Sequence, residues 1–414
     1  WSLAGRWNIA EEGWLPQFVN DLSLRASYGM QGNIPTSVGP NLVVSYPSTT
    51  INRWSGEYVL QISRLPYPNL RWEKTHTVNL GLEFSLLDNR ITACLDYYWK
   101  KSTDVLFQLP VGLEYGVEQI YRNGADLTNR GIELSMTFVP IRTKDWEWTI
   151  SPIWSKNDNE VTNAIKNEYT VNDYLSGNAY ENGKPVNAIY SWKFTGLDPK
   201  TGYATFANTY KTSEEANESK NIEDLLVYSG SKDPKFSGGF STTLRWKNLL
   251  LSTQWAFQFG NVIRMNYLFE GESLMPQPYQ NLNVNLTKAW KQPGDENFTN
   301  VPAFNVSGEY DYNVYYNYNS QVRSANTYTM YNYSDLRIAS GDFLRCRNLS
   351  LSYSFPYNQI EKYGLTSMSL GLNVTNPFTF CSSKLDGQDP EISATGTTAM
   401  PITQTYTISL NLSF

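Results

Sequence analysis

TYTISLNLSF, residues 405–414, closes the chain. In steps of two, Tyr406, Ile408, Leu410, Leu412 and Phe414 fall on one side, and Thr405, Thr407, Ser409, Asn411 and Ser413 on the other. This is the period of a β-strand with one apolar and one polar face. Such an apolar face either covers a protein core or meets hydrocarbon.

The same alternation recurs upstream. Leu22, Leu24, Ala26 and Tyr28 alternate with polar neighbours, as do Val78, Leu80, Leu82, Phe84 and Leu86. After the turn DNR the pattern resumes at Ile91, Ala93, Leu95, Tyr97 and Trp99, and then at Ile132, Leu134, Met136 and Phe138. Further runs centre on Trp148, Leu244, Leu251, Leu351 and Leu370. Many cover about 9–11 residues, enough to cross a bilayer at a tilt, against about 5–6 for strands of soluble sheets. Their apolar faces often end in Tyr, Trp or Phe, as interfacial girdles do. Tight connections (LDNR, RTKD, WKN) alternate with long ones, residues 29–70 and 260–340. A soluble β-sandwich accounts for the alternation alone. Strand length, aromatic ends and loop asymmetry together point to an all-β fold, a transmembrane antiparallel β-barrel.

A barrel in lipid must close, because an open edge leaves backbone groups without partners. The final strand is therefore expected to be the closing one, with Phe414 at a membrane interface. About eleven or twelve strands are expected, half of a roughly 22-stranded plugged barrel. Leu80, Leu134, Leu351 and Leu410 are expected to face lipid, and Glu83, Glu133, Ser352 and Asn411 the lumen.

Composition fits this reading. Only 17% of residues are charged, below the roughly 25% usual in globular chains. Aromatics reach 14%, with 29 Tyr and 13 Trp, while mean hydropathy is -0.44. A net charge of -6 argues against a nucleic-acid partner. Cys94, Cys346 and Cys381 are odd in number and lack metal-site spacing. His76 is the only histidine and lies in a strand-like run, so it reads as structural. No run of 18 or more apolar residues marks a membrane helix. The chain begins on Trp1, not Met, and is expected to be the downstream part of a longer protein.

Several stretches resemble the SusC/RagA family of TonB-dependent transporters of the Bacteroidetes outer membrane. LPYPNLRWEKTHTVNLGLEF is similar to that family's NPNLKWE segment entering a barrel strand, and RITACLDYYWKKSTDVLF to its next strand. NGADLTNRGIELSM, GLDPKTGYATF, DPKFSGGFSTTLRWKNLLLS, AWKQPGDENFTNVPAF, GDFLRCRNLSLSYSFP and NVTNPFTFCSSKLDGQDPEI follow in family order. Cys346 and Arg347 depart from the usual Leu-Lys, and CSSKLDGQDPEI is an uncommon form of its loop. The resemblance implies that residues 1–414 are the C-terminal half of the barrel, with the plug domain, the TonB-contacting segment and the first barrel half lying elsewhere. It implies active import of a glycan fragment or peptide across the outer membrane, a SusD-like surface lipoprotein as lid, and neither catalysis nor a cofactor. A passive or adhesive barrel, or a soluble glycan-binding module, is the alternative.

Residues 310–333 hold eight of the 29 tyrosines. Tyrosine offers a flat apolar ring and a hydroxyl at small entropic cost. A self-packed loop or lid-contact surface competes here with direct substrate contact. Tyr312, Tyr315, Tyr316 and Tyr318 are expected to touch substrate or lid. Glu83, Asp96 and Glu133 could be read as a glycosidase's carboxylates but suit a hydrated lumen wall. DGQDPEI lacks the spacing of a calcium loop and reads as a structured turn. YRNGADLTNRG reads as turn chemistry between strands, through Asn123, Gly124, Asn129 and Gly131.

Overall fold

The computed structural model describes residues 1–33, 38–46, 51, 54–117, 119–164, 169–269, 281–304, 313–392 and 400–414. Eleven strands form one large sheet: β1 (Ser2–Asn8), β2 (Val19–Asn33), β3 (Glu73–Leu86), β4 (Ile91–Pro110), β5 (Gln119–Arg142), β6 (Trp146–Thr162), β7 (Phe236–Trp246), β8 (Leu249–Phe259), β9 (Phe343–Ser354), β10 (Ser367–Cys381) and β11 (Thr405–Ser413). Each strand neighbours the next in sequence, so the wall is an up-and-down meander. Among the described residues β1 and β11 are its two edges. No helix among these residues is long and apolar enough to cross a membrane.

The connections sort by end. Residues 87–90, 143–145 and 247–248 turn tightly, and 9–18 and 355–366 close the remaining links at that end. The opposite end carries 34–72, 111–118, 163–235, 260–342 and 382–404. Left-handed backbone at Leu87, Asp88 and Asn89 (φ 56, 54 and 60°) folds the first tight turn, a region tolerated most readily by Asn and Asp.

The chain divides into two compact units, Trp1–Phe138 with Ile153–Tyr169 and Tyr180–Val186, and Val139–Pro152 with Thr170–Ala179 and Asn187–Phe414. In the first unit the register sets Trp7, Leu24, Leu82, Leu95 and Leu134 in one cross-strand row. Leu80, Tyr97 and Ile132 form the next row on that face. The opposite face carries Arg25, Gly81, Asp96 and Glu133, with Ser23, Glu83 and Cys94 beside them. In the second unit Leu244, Leu251, Leu351, Leu372 and Ile408 line one face, while Ser352, Gly371 and Ser409 line the other.

The alternation runs the opposite way to that of a soluble sheet. Leu80 is 49% and Leu351 39% exposed, although both belong to apolar rows, while their polar-face neighbours Gly81 and Ser352 are buried and half-buried. Within the loops, by contrast, Leu225 is 0% and Tyr328 1% exposed. Apolar wall side chains turned outward, beside loops with their own dry interior, fit a wall whose outer solvent is hydrocarbon. Trp146 and Trp246 stack at 5.6 Å beside the tight turns and are both exposed, as interfacial aromatics are.

Strands β4 and β5, of 20 and 24 residues, are far longer than a bilayer crossing needs. A bulge between Ser102 and Val105, with Asp104 at φ 57°, marks where they change character. Beyond it Phe107, Leu109, Ala125 and Val161 form a buried cluster at the long-loop end.

Three sequence expectations need correction. YRNGADLTNRG is continuous strand within β5, not a turn. A Cβ on Gly131 would strike the Lys156 carbonyl and the Tyr98 ring, so the glycine permits close approach and makes no bend. Asn123 is buried and donates to the carbonyls of Arg71 (2.9 Å) and Asp104 (2.7 Å), while accepting from the Arg71 N–H at 2.9 Å. The long connection 163–235 was not anticipated. It holds short strands of its own, Ala188–Trp192, Phe194–Leu197, Ala204–Phe206 and Leu226–Ser231. Strand β1 was also missed, since Gly5 interrupts its short apolar row between Leu3 and Trp7.

Candidate functional site

In the second unit, residues of the connections 163–235 and 260–342 pack into one loop layer. Trp192 lies 5.3 Å from Tyr316 in an edge-to-face pair, and Tyr203 and Phe269 flank Tyr328 at 6.0 and 4.8 Å. The Tyr328 hydroxyl donates to the Ala303 carbonyl at 2.7 Å. Such edge-to-face contacts add to area burial. Asn326 caps the short helix Thr327–Asn332, its side chain accepting from Tyr328 N–H. Burial holds Tyr331 neutral, its pKa pushed up to about 12.

The tyrosine-rich stretch folds as a hairpin, Asn313–Tyr318 against Gln321–Asn326. Asn319 and Ser320, both left-handed, make its tip. Its first strand is held to residues 210–220. Tyr315 and Tyr210 exchange backbone hydrogen bonds at 2.8 and 2.9 Å, and Asn317 donates from its side chain to the Ala216 carbonyl at 2.9 Å. Tyr316 is 8% exposed, so its ring serves the interior of the layer. Tyr315 and Tyr318 are half-buried, and Gln321, Val322 and Arg323 stand exposed on the partner strand. Tyr312 lies outside the described residues.

Glu83, Asp96 and His76, singled out in the sequence, have partners. On the polar face of the first unit, Arg6 reaches Glu83 at 3.0 Å, and Arg25 reaches Glu83 at 3.2 Å and Asp96 at 3.1 Å. That is the charge-paired, half-hydrated surface of a lumen wall. The Tyr28 hydroxyl and His76 Nδ1 lie 2.8 Å apart in a rim pair joined by Trp1, consistent with a structural histidine. The three cysteines are free.

Strand β9 and the DGQDPEI loop meet through charge. Arg345, 2% exposed, contacts Asp389 at 2.6 Å and Glu391 at 2.9 Å, and Arg347 also pairs with Glu391. Burial raises the Asp389 pKa, but the N–H groups of Glu391 and Ile402 and the Arg345 guanidinium outweigh it and hold the carboxyl below its usual range. A bulge between Cys346 and Asn348 presents both arginines. These carboxylates are committed to arginines, and among the described residues no group of three or more His, Cys, Asp or Glu gathers to hold a metal.

Residues 1–224 match the family model described as TonB dependent receptor-like, beta-barrel. The chain belongs to this family. It is therefore an outer-membrane β-barrel segment. TonB-dependent receptor P39 of Formosa agariphila is 26% identical over 95% of this chain and 40% of that protein. TonB-dependent receptor SusC of Bacteroides thetaiotaomicron is 28% identical over 100% of this chain and 39% of that protein. Among solved structures, that of the RagAB peptide transporter superimposes with TM-score 0.74 at 25% identity, covering 100% of this chain and 43% of that chain. The chain thus spans about two-fifths of the relatives it matches.

Proposed function

We infer that the chain is the C-terminal half of the barrel of a TonB-dependent importer. The remaining barrel strands, a plug domain and a TonB-contacting segment belong to the rest of the protein. The whole protein imports a nutrient, a glycan fragment or a peptide, and a SusD-like lipoprotein closes its mouth. The observation that carries this reading is the agreement of fold with the RagAB peptide transporter, whose match covers 100% of this chain. The packed loop layer supports it, because a passive pore has little use for a pre-ordered mouth. Within that layer Tyr315 and Tyr318 contact substrate or lid in this reading, their half-burial supporting it, while Tyr316 and Tyr331 hold the layer together.

The test uses cells producing the full-length protein. Uptake of the cognate nutrient is expected to collapse when the TonB energy source is removed. Replacing Tyr315 and Tyr318 with Ser should leave barrel assembly intact and lower uptake or lid co-purification on the order of tenfold or more, at about 1 kcal/mol per aromatic contact. Uptake indifferent to TonB would return the chain to the passive-barrel reading.

A further inference from the structure

At the long-loop end of the first unit, the extended ends of β4 and β5 and residues 38–43 and 63–67 line a cleft of about 590 Å³. That is within the usual size of a small-ligand site. Its polar and aromatic lining includes Arg64, Tyr67, Gln108, Tyr115, Gln119 and Arg122. Two guanidiniums line it and, among the described residues, no carboxylate does.

The lining is held in place. Arg64 Nε donates to the Asn41 carbonyl at 3.4 Å, and its guanidinium lies along Gly39, where a Cβ would stand 3.1 Å from the terminal nitrogen. Tyr67 is fixed at both ends: its N–H donates to the Pro40 carbonyl at 2.9 Å, and its hydroxyl accepts from the Asn123 N–H at 3.3 Å. Asn123 is the buried side chain that also closes the backbone groups of Arg71 and Asp104. The wall bearing Tyr67 is thus anchored to the protruding end of β5. Arg122, the residue before Asn123 in that strand, is exposed.

We propose that this cleft captures carboxylate-bearing nutrient oligomers. Arg64 and Arg122 pair with the carboxylates, and Tyr67 and Tyr115 offer ring faces to the ligand's apolar surface. Guanidinium matches the planar carboxylate in a two-toothed geometry that ammonium cannot reproduce. The glutamines supply neutral donors and acceptors for hydroxyl or amide groups. The proposal rests on the import reading, since it names the chemical class taken up, but it concerns binding, which needs neither TonB nor a lid.

The test is titration of the purified full-length protein in detergent with four probes: an oligogalacturonate, a C-terminally amidated Glu-containing tetrapeptide, a neutral maltooligosaccharide and the amidated Gln counterpart of the peptide. At least one acidic probe is expected to bind more tightly than its neutral partner and to weaken as salt rises. R64Q/R122Q should weaken that binding on the order of tenfold or more, and R64K/R122K should restore part of it. Heat-modifiability of each variant checks that the barrel is intact. The acidic probe that binds identifies the source of the carboxylate. Equal binding of acidic and neutral probes, unchanged binding by R64Q/R122Q, or binding of neither acidic probe would overturn the proposal. Energy-dependent uptake in cells, measured separately, bears only on the import reading.

Discussion

Arg345 and Asp389 lie 44 residues apart and meet where both are nearly dry, at 2% and 6% exposure. A buried guanidinium needs compensation, and two carboxylates supply it. D389N keeps the shape and removes one charge, so it should destabilise the full-length protein by on the order of 3 kcal/mol, read as thermal unfolding in detergent. E391Q should cost less, because Asp389 remains against Arg345. The pH dependence has a definite sign. Asp389 is held below its ordinary value of 3.8, so its contribution is complete above that value and is lost as pH falls through the lower folded value. A D389N protein that unfolds like wild type would remove the cluster from the account. The resemblance marked Arg347 and CSSKLDGQDPEI, which meet through Glu391, as departures from the family pattern, but it did not mark Arg345. It could not show that the departures touch, because a contact across 44 residues leaves no local trace. Asn123 was misread for a related reason. Asn-Gly is a turn signal, and only the fold shows the carboxamide satisfying the backbone of two other segments.

Ten of the eleven wall strands are legible as alternation, because a wall with hydrocarbon on one side and water on the other imposes a period of two. The element that failed, β1, has too few apolar residues to show it. The loops were least legible. Their tyrosines look alike in sequence, yet Tyr316 is buried while Tyr315 and Tyr318 are half-buried. At this scale the account predicts an asymmetry between adjacent positions on β9. Leu351 is on the apolar face and Ser352 on the polar one. L351R should cost on the order of 2–4 kcal/mol near the bilayer midplane and S352R much less. Refolding of each full-length variant into vesicles, scored by heat-modifiability, reads the difference. Equal losses would mean that the two faces are not in different solvents.

On the scale of the whole molecule, eleven strands pair in sequence order, with β1 and β11 at the edges among the described residues. The relatives' greater length supports completion of that wall by other strands. The central claim is that one face of this wall meets lipid and the other the lumen. Cysteine labelling in outer membranes of cells producing the full-length protein tests it most directly. Cys94, Cys346 and Cys381 would first be replaced, because Cys381 is itself exposed. Single cysteines would then be placed at 80, 134, 351 and 410, and at 83, 133, 352 and 411. With a small water-soluble maleimide, the second set is expected to label and the first to stay protected until detergent is added. Labelling of positions 80, 134, 351 and 410 in the intact membrane at the rate of the second set would contradict the account.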